Sequence, residues 1–146
     1  MRRAWLVLPF LLLGCGGGDS TGPSTAEVGG SWRFSWSNLS GSGVSCNASG
    51  DFQLTQSGTT FSGVQYGTGT IICLAGGESL TDLIVGETLA AGQVNGSAVS
   101  FRIGSVQSTH SGTVSGGSMS GTATWTFDLG DGLVVNLAGQ WTAVRL

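Results

Sequence analysis

From Ser118 to Leu129 the side chains alternate without a break. Met119, Gly121, Ala123, Trp125, Phe127 and Leu129 occupy one parity, and every even position from Ser118 to Thr126 is Ser or Thr. A period of two with one apolar face describes a strand buried on one side and wet on the other. Trp32, Phe34 and Trp36 alternate with Ser and Arg in the same way, as do Val99, Phe101 and Ile103. Phe52 and Leu54 do so in an early segment, and Leu133, Val135, Leu137 and Trp141 share a parity in the last. A chain patterned like this is all-β.

Turn chemistry sets the order of these strands. Asn95-Gly96 and Gly116-Gly117 are two-residue hairpin signals, since both dipeptides tolerate positive φ. Gly58, Gly77, Gly96 and Gly116 recur at intervals of about 19 residues, the length of two strands and two turns. This spacing predicts that the four turns share one end of a meander. Connections near 39–48, 67–68, 87–88, 104–107 and 129–132 then fall at the other end. The strand candidates are 30–38, 49–57, 59–66, 69–75, 79–86, 90–95, 98–104, 108–115, 118–128 and 133–145. Leu80, Leu83 and Ile84 also fit a helical face, so 79–86 reads as strand or short helix. The aromatic residues concentrate in the first and last strands. The expectation is a single antiparallel up-and-down barrel, or a curled sheet, of eight to ten strands, because closure removes exposed edges.

The N-terminus is of another kind. Arg2 and Arg3 precede an apolar run from Ala4 to Leu13, followed by Gly14 and Cys15. That is the order of a secretory signal, and the run is about half the ~20 residues a transmembrane helix needs. Leu12-Leu13-Gly14-Cys15 closely resembles the lipobox of bacterial lipoproteins. The resemblance implies cleavage before Cys15 and acylation of that residue, with several chains giving a stable membrane anchor. Gly16 after the cysteine, by the enterobacterial sorting rule, implies the outer membrane. Residues 1–14 are thus expected to be a signal peptide. Residues 15–27 form a Gly/Ser/Thr tether behind the lipidated cysteine, and 28–146 the folded domain.

Without the signal peptide, 3 Arg face 8 acidic residues, a formal charge of −5, and the chain has no Lys. This balance argues against nucleic acid as a partner. The missing Lys excludes Schiff-base chemistry and a P-loop. With Cys15 lipidated, Cys46 and Cys73 remain as a pair, and in an oxidising envelope they are expected to form a disulfide. Two cysteines without a suitably placed His do not make a zinc site. Asp128 and Asp131 lack the further carboxylates of a Ca²⁺ loop. No cofactor or metal is expected.

Gly30-Ser31-Trp32 in the first strand resembles the Gly-x-Trp signature of lipocalins and related calycin barrels. The resemblance implies a small closed barrel in which an Arg near the chain end packs on this Trp, and Arg145 matches that position. The second lipocalin signature, a Thr-Asp-Tyr-like turn, is absent.

Candidate ligand-facing residues follow from parity. His110, the only His, shares its parity with Gly112 and Val114 and faces inward. Gln56 and Gln65 share parity with apolar neighbours, and Trp32, Trp125 and Trp141 also point inward. These residues either line a cavity with a few polar groups or fill a tight core. No acid is placed to orient His110, and no nucleophile elbow is present. The chain is therefore expected not to be an enzyme. It reads as an envelope binding or interaction module, partnered by the membrane through Cys15 and by an envelope protein. The alternative is a carrier of a small apolar ligand.

Overall fold

The computed structural model describes residues 24–104, 107–128 and 134–146. The lipobox, Cys15 and Asp131 lie outside them. Nine strands form one antiparallel sheet: β1 Gly30–Gly41, β2 Val44–Ser57, β3 Thr60–Ala75, β4 Glu78–Ile84 and β5 Thr88–Asn95, then β6 Ala98–Ile103, β7 Gln107–Ser115, β8 Ser118–Asp128 and β9 Val134–Arg145. Eight of them close into a barrel. β1 pairs β9 from Trp32↔Arg145 to Ser40↔Ala138, and β3 passes the sheet on to β5 through Thr60↔Gln93 and its neighbours. β4 pairs only with the second half of β3. The segment with two readings is a strand, whose seven residues pair in register along β3.

The expected break at 67–68 is not a turn. β3 runs through it for 16 residues, and Gly67, at φ 69°, forms a bulge. Ser49 faces Thr70 while Asp51 faces Tyr66, so β3 carries the surplus residues. Bulges bend a strand without ending it. The consequence is topological. The turns at Gly58, Gly96 and Gly116 share one end of the barrel as expected, but the turn at Gly76-Gly77 stands at the opposite end. The connection expected over 39–48 is also shorter, because β1 and β2 run on to a turn at Ser42-Gly43. Together the extended parts of β2 and β3, with β4, rise past the barrel as a flap.

Closing the sheet buries its apolar parity. Phe34 lies at the centre, within 5.3–5.9 Å of the rings of Trp36, Phe52, Phe101 and Trp141. The outer face keeps the Ser and Thr ladder, including Thr109 opposite Thr124. One end of the barrel is stoppered. Arg145 sits 4.5 Å over the Trp32 ring, a contact worth about 0.5–1 kcal/mol where solvent reaches it. Its guanidinium also donates to the Gly29 and Glu27 carbonyls. Buried Val28 and the Gln56 amide, which accepts from Val28 N and donates to Ala26 O, complete the stopper. The matching of Trp32 and Arg145 implied by the signature is present.

Cys46 and Cys73 are bonded. They are directly opposed residues of β2 and β3. The bond staples the flap, whose inner face sets buried Cys46 and Ala48 beside partly buried Val44, Ile71 and Ile84. For a separation of 27 residues, the loop-closure model assigns it about 3.5 kcal/mol. Reduction is expected to speed amide exchange across 44–49 and 69–84 at least tenfold while leaving β7 and β8 slow. Uniform loss of protection on mass-spectrometric exchange would show that the flap is not a separate stability unit.

Candidate functional site

The end opposite the stopper holds a cavity of about 240 Å³. Its floor is aromatic: Trp36 from β1, Phe52 from β2 and Trp125 from β8. Ile103 and Phe127 form one wall, and Ile71 with Ile84 on the flap form another. Ser49, Gln65, Asp82 and Glu87 supply its polar groups. Gln65 is already engaged. Its amide donates to Ile84 O at 2.8 Å and accepts from Glu87 N at 3.1 Å, splinting the β4–β5 connection against β3.

His110 lies beneath this floor and is 2% exposed. Its Nε2 accepts from the Trp36 indole N–H at 2.8 Å and from that of Trp125 at 3.3 Å. An imidazole nitrogen that accepts carries no proton, so the ring is neutral with its hydrogen on Nδ1. Nδ1 is buried and makes no well-formed hydrogen bond among the described residues. The ring stacks on Phe101 at 4.4 Å. Burial pulls its pKa down from 6.5 to about 4, and the Phe101 backbone beside it offsets this only in part. A histidine with its lone pair committed to two indoles is not a free base or metal ligand. It instead fixes the two tryptophans of the cavity floor.

Of the ligand-facing candidates, Gln65 and Trp125 line the cavity and His110 supports it. Gln56 and Trp32 belong to the stoppered end. Trp141 is fully buried in the barrel, its indole donating to Ser111 O at 3.3 Å and Thr122 O at 3.1 Å. Parity placed all of them on the inner face, but did not give height along the barrel axis. Trp36 shares the inward parity of the other tryptophans and lines the cavity too, whereas Ile71, Ile84 and Phe127 were not singled out by parity.

The flap and the connection after it also expose apolar residues. Ile72, Leu74, Leu80, Leu83 and Val85 are between 45% and 69% exposed, a concentration that soluble surfaces rarely carry without a binding role. A wider depression on the barrel wall is lined by outward-pointing Arg102, Thr109, Thr124 and Thr126 and has no aromatic floor. Compared with protein-family models, curated proteins and solved structures, the chain matches none of them.

Proposed function

We propose that this chain is a lipid-anchored envelope lipoprotein whose calycin-like barrel is a non-catalytic binding module, engaging an apolar part of a protein partner at its unstoppered end. The observation that carries the reading is an aromatic-floored cavity directly beside an exposed apolar flap. Size favours a partner's side chains over a carried ligand. Small-molecule sites typically occupy about 300–1,000 Å³, and the 240 Å³ here suits one or two side chains. Below the floor, Phe34, Phe101 and Trp141 fill the space a carrier would leave for its cargo. Catalysis is disfavoured because His110 has no free lone pair at Nε2. The lipobox Leu12-Leu13-Gly14-Cys15 supports anchoring, and the Trp32–Arg145 stopper supports the calycin-like assignment.

The test is photo-crosslinking in intact cells of the native host. A photoreactive residue at position 83 is expected to give a discrete protein adduct, and one at position 109 on the barrel wall none. Cys15→Ala should release the protein from the membrane fraction and abolish the adduct. A small molecule retained at one per chain in native mass spectrometry, with no adduct from position 83, would establish the carrier reading instead.

A further inference from the structure

We infer that the free edge of β4 takes up an extended segment of another protein in which apolar and basic residues alternate, at the end of the barrel opposite the tether. This rests on the unstoppered end being the binding end, and adds how the partner binds and what chemistry it has.

Among the described residues, β4 is the one strand paired on a single side. Its outer row of N–H and C=O groups, in which only the Leu83 N–H is already taken, by the Asp82 carboxylate, is therefore a template for a further strand. The side chains suit such an addition. Leu80 and Asp82 oppose Cys73 and Ile71 and share their face, while Leu83 opposes Thr70 on the other. An added strand would set alternate residues beside Leu80 and Asp82 on the cavity side. Its remaining residues would lie beside Leu83, next to exposed Ile72 and Leu74.

Charge selects the partner. β4 itself carries Glu78 and Asp82 and no cation. Of the described arginines, Arg33 is paired with Asp51, and Arg102 and Arg145 stand on β6 and β9. A second copy of the chain would bring an equally acidic edge, and like charges across a strand pair are destabilising. A segment with Lys or Arg beside its apolar residues would be attracted.

The chain's own tether has the wrong chemistry, since residues 15–25 hold one acid, Asp19, and no basic or large apolar residue. The described chain starts at the stoppered end, where Ala26 N donates to Gly96 O. Eleven residues, 15–25, separate that point from the lipid, and they reach at most about 36–40 Å when fully extended. β3 climbs from the stoppered end to the flap tip over 16 residues, roughly 50 Å along the strand and about 40 Å in height at normal barrel tilt. The tether reaches only the lower end of β4, where Ile84 opposes Gly69, and its residues give it nothing apolar or basic to place there.

The experiment uses the mature lipoprotein in phosphatidylcholine nanodiscs at 150 mM salt, with three synthetic heptapeptides. One alternates lysine with leucine, one alternates glutamate with leucine, and the third is the lysine peptide methylated on alternate backbone nitrogens. The lysine peptide is expected to bind at least tenfold more tightly than either of the others, and to slow amide exchange in 78–84 but not in 98–103. Glu78→Lys combined with Asp82→Lys should reverse the charge preference. Equal binding of the methylated peptide would overturn strand addition, and equal binding of the glutamate peptide would overturn charge selection. If no peptide protects β4 while the position-83 adduct persists in cells, strand addition falls and binding at this end stands. If the adduct is also lost, both fall.

Discussion

Acidification from pH 7 to pH 4 should lower the melting temperature of the mature protein by about 10 °C, most of it through His110. The folded state holds this ring neutral, with a pKa near 4 against an ordinary 6.5. As the pH falls, the unfolded chain takes up the proton first. The stabilisation is therefore complete above about pH 6.5, declines between 6.5 and 4, and changes no further below that. A displacement of this size corresponds to about 3 kcal/mol, and for a domain of this length each kcal/mol moves the melting point by about 4 °C. Asp51 does not confuse the measurement. The Arg33 guanidinium holds its carboxyl below the usual 3.8, so its contribution is lost only at still lower pH. His110→Gln keeps a carbonyl acceptor for the indoles and removes the titration. It should melt lower at pH 7 but show little change down to pH 4.5. Tryptophan emission should report the same event, since a protonated Nε2 cannot accept from Trp36 and Trp125. A wild-type melting curve that is flat between pH 7 and pH 4.5 would refute the assignment.

That histidine marks a boundary of what the sequence could convey. Its inward direction was readable from Gly112 and Val114, because parity is a local property. Its partner Trp36 is 74 residues away, and only barrel closure brings the two together. The strands themselves were legible for the same local reason, with one face Ser/Thr and the other apolar. Closure was legible through Trp32 and Arg145. The flap was not. Tyr66-Gly67-Thr68-Gly69 has the composition of a turn, yet the positive φ at Gly67 is used in a bulge within a continuous strand. Beyond it, Ile71-Ile72-Cys73-Leu74 is apolar at both parities, so alternation cannot say which face is inside. The two faces have different uses: Ile71 looks into the cavity and Ile72 outward. The site was half legible for a related reason. An inward Trp near the stopper and an inward Trp near the cavity carry the same pattern. Trp32 and Trp125 differ only in where register places them along the axis.

Replacing Gly121 with Ala should cost about 3 kcal/mol or more and lower the melting temperature by at least 10 °C. Gly121 and Gly112 face each other across β7 and β8. A Cβ on Gly121 would stand 1.9 Å from the Ser111 carbonyl oxygen and 2.6 Å from the Gly112 Cα. Both obstacles are backbone, so no side-chain rotation relieves them, and the strands must separate by more than 1 Å to restore ordinary contact. That separation is resisted by Trp141. It is paired with Gly121 in β9, and its indole N–H donates to the Ser111 and Thr122 carbonyls that flank the glycine pair. Parting the strands would unseat a fully buried indole and strand its N–H, adding desolvation to strain. Gly117→Ala is the control. A Cβ there meets nothing closer than the Arg145 Cβ at 3.8 Å, and its melting point should stay within about 2 °C of wild type. Near-ultraviolet circular dichroism should lose its tryptophan signature in Gly121→Ala while the far-ultraviolet strand signal persists. A Gly121→Ala protein melting as high as the control would refute the pinch. The consequence reaches the site, because the close approach of β7 and β8 lets Trp141 fill the barrel below His110. With the interior occupied, an apolar guest is left the space above Trp36 and Trp125, beside the flap.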